Sequence, residues 1–329
     1  MLLPEYLDFL RTQKNLLAFS GGSDSTALFF LLVEANIDFD IALVNYQTRA
    51  QSDDEATYAK TLASEHQKQC HIKVLSLSTQ NFEHQAREAR YHFFEALTQE
   101  HHYTTVLTAH HLGDRLEWFL MQLTKGAGLP ELLGMQGMTQ QKHYTLVRPL
   151  LHLQKEELVA FLDSANITYF HDSSNDDESY KRNHFRHNFA QPLLQKYARG
   201  IKKSFDYLDQ DSSLIIETTK ETKTGQMHTF KTHTTRRSTL LQLDKTIKQC
   251  GYMMSSAEKA HLLKNDHHIV GRKFAIMITD KITVVVPYLE AIIMSKIHKE
   301  KCRVLGIESK LRPYLFEDKE AFEKLCHLL

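Results

Sequence analysis

The run Leu16-Leu17-Ala18-Phe19-Ser20-Gly21-Gly22-Ser23-Asp24-Ser25-Thr26 decides how the rest of the chain is read. Its apolar start suits a strand, and the apolar stretch Thr26–Val33 that follows suits a helix. Two adjacent glycines between them let the backbone turn tightly and bring its N–H groups close to a ligand. The serine hydroxyls add donors, and a helix amino terminus favours an anion. An ordinary strand-to-helix turn is the plain alternative, since Gly, Ser and Asp are common turn formers. The full six-residue string, Ser20 to Ser25, at the end of a first strand tips the balance towards an anion cradle. It is not a Walker loop, because no G-x-x-x-x-G-K-[ST] supplies the phosphate-gripping lysine.

Working outward, five β-rich runs punctuate the first half: Asn15–Ser20, Asp40–Tyr46, His71–Leu77, Thr104–Ala109 and Thr145–Leu150. Segments with helical periodicity lie among them, at Ser25–Ala35, Asp53–Gln69, Phe82–Glu100 and Arg115–Leu123. Strands alternating with helices of this length predict an α/β fold, a Rossmann-like parallel sheet with right-handed crossovers and helices on both faces. Ligands of such sheets collect at the carboxyl ends of the strands.

The pattern changes after Pro149. Lys155–Ala165 reads as a helix, His171–Glu178 as an acidic loop, and Tyr180–Asp209 as long helical material broken at Gly200. Thr218–Thr235, rich in Thr and Lys, is expected to be a linker. Beyond it Arg236–Gln249 suits a helix, Ser255-Ser256-Ala257-Glu258 a capping box, and Lys273–Thr279 and Lys281–Pro287 two strands. The expected organisation is a catalytic domain over residues 1–212, with a basic helical extension from about residue 178, and a smaller α+β domain over 213–329.

Composition narrows the function classes. The hydrophobic fraction is 42%, enough for a buried core. No stretch approaches the ~20 apolar residues that span a bilayer. The segment Met1–Arg11 carries Glu5 and Asp8 and lacks the pattern of a secretory signal, so a cytoplasmic protein is expected. Cysteines 70, 250, 302 and 326 form no C-x-x-C pair and are expected to be reduced structural thiols. Forty basic residues balance forty acidic ones, which counts against a dedicated polyanion binder. The distribution is uneven, however. From Ser179 to Phe205 there are Lys181, Arg182, Arg186, Lys196, Arg199, Lys202 and Lys203 and no acid, with Asp172, Asp176, Asp177 and Glu178 just upstream. This belt suits phosphate contacts, or else an ordinary solvated helix face.

A second constellation follows the fourth strand, in Thr108-Ala109-His110-His111-Leu112-Gly113-Asp114-Arg115-Leu116-Glu117. Asp114 and Glu117, three apart, share one side of the next helix. With His110 they can orient an amine and take its proton; alternatively Asp114 simply caps the helix and Glu117 complements its dipole.

The S-G-G-x-D-S string resembles the loop of the ATP pyrophosphatases, the PP-loop enzymes. The ordered series continues with Glu88-Ala89-Arg90-Tyr91, the 108–117 run, Gly126-Ala127-Gly128, Leu133-Gly134-Met135 and Arg148-Pro149-Leu150-Leu151. It ends with His171-Asp172-Ser173-Ser174-Asn175 and Tyr180 to Arg186. Over roughly residues 15 to 200 this series resembles the tRNA(Ile)-lysidine synthetases. The resemblance implies ATP-dependent adenylation of the wobble cytidine of an isoleucine tRNA with a CAU anticodon, then displacement of AMP by the ε-amine of free L-lysine. It implies ATP binding by Ser20, Gly21, Gly22, Ser23, Asp24 and Ser25, with Asp24 also holding Mg2+. His110, Asp114 and Glu117 would serve activation and lysine placement, and Arg186, with Arg182, would contact phosphate or the adenylate. Lys181, Arg182, Lys196, Arg199, Lys202 and Lys203 would face the tRNA. The second domain, with Lys231, Arg236 and Arg237, would grip its acceptor side. A homodimer stays open as the assembly.

The chain departs from the family pattern at three places. It has Gly113-Asp114 where two aspartates are usual, Glu117-Trp118 where Glu-Thr is usual, and Tyr46-Gln47-Thr48-Arg49 where a histidine is common. Other readings kept in view are a PP-loop tRNA 2-thiolase, a small-molecule amidating synthetase, and a non-catalytic tRNA-binding protein with a decayed site.

Overall fold

The computed structural model describes residues 1–47, 52–76, 82–171, 181–215, 219–290 and 292–329. The chain divides into two compact units, Met1–Gln210 and Asp211–Leu329. Thr48, Arg49, Leu77, residues 172–178 of the expected acidic loop, and Ser179 and Tyr180 after it lie outside the described residues.

The first unit runs α1 (Pro4–Leu10), β1 (Asn15–Ala18), α2 (Ser23–Glu34), β2 (Phe39–Asn45), α3 (Ser52–Glu65), β3 (Cys70–Val74) and α4 (Phe82–His101). It continues through β4 (Thr105–Leu107), α5 (Leu112–Leu123), α6 (Leu129–Leu132), β5 (Met138–Gln140), β6 (Thr145–Val147) and α7 (Lys155–Ser164). After the gap come α8 (Lys181–Phe185), a π-helical turn (Arg186–Ala190) and α9 (Gln191–Ile215). The sheet order is β3-β2-β1-β4-β6-β5. All pairings are parallel except β5 with β6. The sheet is therefore mixed, with one short antiparallel edge that the sequence reading did not anticipate.

Alternate residues of β1 serve opposite faces, as a strand's period of two demands. Leu17 joins the core under α2, α3 and α7, with Phe29, Leu62 and Leu158. Leu16 joins the other, with Phe94 and Leu97 of α4. Because β2 lies on one side of β1 and β4 on the other, the chain reverses direction across the sheet between them. At such a switch point the loops leaving β1 and β4 splay apart and leave a crevice.

The second unit has β7 (Thr222–Thr224), β8 (Met227–Lys231), α10 (Arg236–Gln249), α11 (Ser256–Leu262), β9 (His267–Val270), β10 (Phe274–Ile278) and β11 (Ile282–Pro287). Helices α12 (Lys296–Val304), α13 (Arg312–Glu317) and α14 (Lys319–Leu328) follow. The strands form an antiparallel sheet, β7-β8-β11-β10-β9. Val284 and Val286 face Leu315 and Leu325, while Val285 faces Leu243 and Ile247, so both faces carry helices.

The expected linker at Thr218–Thr235 is overturned: it holds β7 and β8, and Met227, His228, Thr229 and Phe230 are buried. Its threonines are good strand residues, and only two of its side chains are large and apolar, so no alternation marked the strands. The expected break at Gly200 is also absent. The irregularities lie earlier, at the π turn and at Tyr197, whose φ −134° and ψ 18° kink α9.

Candidate active site

The glycine loop closes β1 and opens α2. Gly21 has φ +78°, and a Cβ there would press the Phe170 ring at 3.3 Å. Phe170 N–H donates to Gly21 O at 2.9 Å, which ties the segment after α7 to the loop. Ser25 Oγ accepts from Ser20 N–H at 3.2 Å and lies 3.1 Å from Gly22 O, so the turn is braced from within. Gly22 is the N-cap of α2 and brings no side chain to its first amides. A Cβ at Gly22 would make only ordinary contacts, Ser20 Oγ at 3.6 Å and Phe170 O at 4.0 Å. Neither backbone angle nor protein packing demands that glycine, and the open face beside uncapped amides suits a phosphate.

Across the crevice, β4 leads into α5. The N-cap of α5 is His111, not Asp114: its Nδ1 accepts from Gly113 N–H at 3.0 Å, and Asp114 returns a bond to the His111 N–H at 3.0 Å. His111 Nε2 lies 3.5 Å from Asp114 Oδ2 and 3.8 Å from Asp24 Oδ2. One buried imidazole thus joins the glycine loop to the carboxylate helix. Sequence reasoning passed over His111; the available signal was a second histidine at the strand end followed two residues later by glycine.

Asp114 and Glu117 are buried, at 7% and 2% exposure. They do share a face, as expected, and the two arginines close on them. Arg182 donates to Glu117 Oε1 at 2.5 Å and to Asp114 Oδ1 at 2.9 Å; Arg186 donates to Glu117 Oε2 at 3.0 Å and approaches Asp114 Oδ1 at 3.5 Å. α8 and the π turn put these arginines four residues apart on one side. Arg182, read from sequence as an RNA contact, therefore sits on the same carboxylates as Arg186.

Electrostatics sort the site. Burial pushes the Asp114 carboxyl up, but His111, Arg182 and Arg186 together hold it well below the usual carboxylate range. Glu117 goes the other way: burial raises it, and the same arginines offset only part of the rise. Burial lowers His110 to about 3; Asp114 opposes this and the Arg148, Arg182 and Arg87 charges add to it. His110 Nδ1 lies 2.9 Å from Thr108 Oγ1.

The remaining predicted residues are not in this cluster. Lys181 lies over the Phe185 ring at 5.8 Å. Lys196, Arg199 and Lys203 are exposed on α9, and Lys202 is half-buried. Tyr46 OH donates to Ala86 O at 2.7 Å. In the second unit Arg236 is committed to Leu262 O and Asp266.

Two departures from the family pattern find packing reasons. A Cβ at Gly113 would meet His111 Cε1 at 2.7 Å and Nδ1 at 2.9 Å. Trp118 donates from Nε1 to Glu131 O at 2.9 Å and lies over Gly134, where a Cβ would meet its ring at 3.2 Å.

A glycine loop at the end of β1, facing a strand-end carboxylate helix over a switch point, defines a PP-loop protein, and the PP-loop domain family matches residues 3–193. The fold is shared with the U34-tRNA thiolase NcsA of Methanococcus maripaludis, at TM-score 0.51 and 15% identity over 62% of this chain and 74% of that one. Sequence similarity is far stronger elsewhere. The tRNA(Ile)-lysidine synthase of Campylobacter jejuni (strain RM1221) is 42% identical over 96% of both chains. That of Wolinella succinogenes is 42% identical over 93% of this chain and 94% of its own. The chain belongs to the tRNA(Ile)-lysidine synthase family.

Proposed function

We propose that this chain is the ligase that makes lysidine on an isoleucine tRNA with a CAU anticodon, consuming ATP and L-lysine. The cytidine C2 oxygen attacks the α phosphorus, an O–P bond forms, and pyrophosphate leaves. The lysine ε-amine then attacks C2, the C–N bond forms, and AMP departs. Two bonds are exchanged in turn, and the ammonium of lysine must first lose a proton.

The observation that carries this reading is the pair of buried carboxylates on α5, facing the glycine loop and neutralised by two guanidiniums. Amides of Ser23, Asp24 and Ser25 at the start of α2 hold the phosphates. Asp24 is the residue that would hold Mg2+, together with phosphate oxygens of ATP, and the ion would supply charge neutralisation at the phosphates. Among the described residues no cluster of three His, Cys, Asp or Glu side chains is placed to bind a metal.

Arg182 and Arg186 exchange partners. An arriving phosphate competes for their guanidiniums and releases the carboxylates to the lysine ammonium. Asp114, held ionised, anchors the cation. Glu117, whose pKa is raised, is the better proton acceptor. His110 stays neutral and orients without adding charge. The second unit acts as an additional tRNA-binding body, and the setting is the cytoplasm; no described helix is long and apolar enough to cross a membrane.

The test is incorporation of labelled lysine into isoleucine tRNA bearing CAU, with ATP and without it. ATP-dependent transfer is expected. Absence of transfer by protein that binds ATP would remove lysidine formation and leave a thiolase or a non-catalytic tRNA-binding protein.

A further inference from the structure

The π-helical turn and helix α9 together carry one side that the fold uses and a remainder that it leaves in solvent. Ala190, Leu194, Ala198, Ile201, Phe205 and Leu208 recur at steps of three and four and pack with Leu112, Leu116 and Leu133. Outside that stripe three large rings stay in solvent: Phe189, in the π turn just before α9, is 45% exposed, Tyr197 60% and Tyr207 53%. Large aromatic rings left bare on an otherwise well-packed helix call for a partner.

Charge says which. Lys196, Arg199 and Lys203 are exposed among these rings. Lys203 lies over the Tyr207 ring at 5.4 Å. No acid occurs from Ser179 to Phe205. The first acids beyond are Asp206, next to Tyr207, and Asp209, which is bonded to Arg115 at 2.5 Å. At the other end Phe189 packs on Phe185 at 5.3 Å between ring centroids and on His184 at 5.8 Å. Cations alternating with bare rings match a strand of phosphates and unstacked bases, because every base has a face to stack and every link a negative charge. The stripe continues directly from the turn that carries Arg186, so an RNA bound along it leads to the carboxylates.

We infer that the outer face of α9 is a stacking platform for unpaired bases of the tRNA anticodon loop, with Tyr197 at its centre and Lys196, Arg199 and Lys203 on the phosphates. Tyr197 sits at the kink of α9 with 60% of its surface in solvent, which leaves a base room to lie against its ring. This rests on the tRNA reading above and adds the residues that receive the loop.

The experiment uses the full chain and an isoleucine tRNA transcript with 2-aminopurine replacing one anticodon-loop adenosine. Wild-type protein quenches the fluorophore. Tyr197→Ala loses the quench and raises KM for tRNA roughly tenfold, within the ~5- to 150-fold that one lost stacking contact brings. Its kcat at saturating tRNA stays within about twofold, and Tyr197→Phe restores both readouts. An Ala variant with unchanged KM and quench overturns the platform. So does a loss that Phe does not restore, or one seen in kcat rather than KM. A change in sedimentation without a change in KM assigns the stripe to a second copy of the chain and also overturns it. Failure of the wild type to transfer lysine would sink the ligase reading instead, and the quench still reports whether the RNA lies on α9.

Discussion

The imidazole of His111 fills the space that a side chain on residue 113 would need, with Cε1 2.7 Å from the position of a Cβ. Gly113 therefore serves the ring, not the backbone. Gly113→Ala should push His111 off its bond to the Gly113 amide and away from Asp24 and Asp114. Such crowding costs ~1–3 kcal/mol, and lysine transfer should fall more than tenfold, the loss expected when positioning is disturbed. Thermal melting and single-turnover transfer check this together; a variant with full activity would show that the link between loop and helix is dispensable.

The two loop glycines should separate by readout. Gly21→Ala meets both a left-handed φ and the Phe170 ring, so melting should drop by the equivalent of about 1–2 kcal/mol. Gly22→Ala has room in the protein and should melt like the wild type while losing ATP affinity. Equilibrium dialysis with ATP, run beside melting, decides it. Intact ATP binding by Gly22→Ala would move the phosphates elsewhere.

Glu117→Gln keeps the shape and removes the charge that Arg182 and Arg186 face. Breaking a fully buried pair costs ~3–5 kcal/mol; Arg182 keeps contact with water, so about 1–3 kcal/mol is expected here. Turnover should fall about 100-fold or more if Glu117 takes the proton. Urea midpoints and kcat measured on one preparation test both parts, and unchanged kcat would take Glu117 out of the chemistry.

His110 should remain neutral across about pH 5 to 8, since its pKa lies near 3 against an ordinary 6.5. The unfolded chain binds this proton below about 6.5 and the folded chain only near 3, so protonation favours unfolding and stability is lost as pH falls through that window. His110→Asn should make the acid-side decline of the urea midpoint shallower. A ring NMR shift for His110 that titrates near 6.5 would contradict the assignment.

How much of this was legible depends on how local the signal is. The glycine loop reads directly from sequence because strand, turn and helix are adjacent and each has its own composition. Asp114 and Glu117 could be placed on one face because three residues fix it. Their pairing with Arg182 and Arg186 could not, because those lie 65 to 72 residues away and charge sign names no partner. β7 and β8 were hidden by threonine and lysine, which do not alternate visibly, and β9 by adjacent histidines at its start. His111 was masked by His110, the more obvious of two like neighbours.

The π-helical turn at Arg186–Ala190 has one more consequence. Arg182, Arg186, Ala190, Leu194 and Ala198 follow each other at four-residue steps, and all point to the same side. In a regular α-helix each such step overshoots a full rotation by about 40°, so four steps would carry the last residue well round the cylinder. The wider turn, and then the kink at Tyr197, take up that overshoot like a vernier. They keep the charged pair in phase with the hydrophobic anchors that fix the helix. Removing one residue from the turn would rotate the arginines by roughly 100° relative to those anchors, and the carboxylates would face carbon instead of nitrogen.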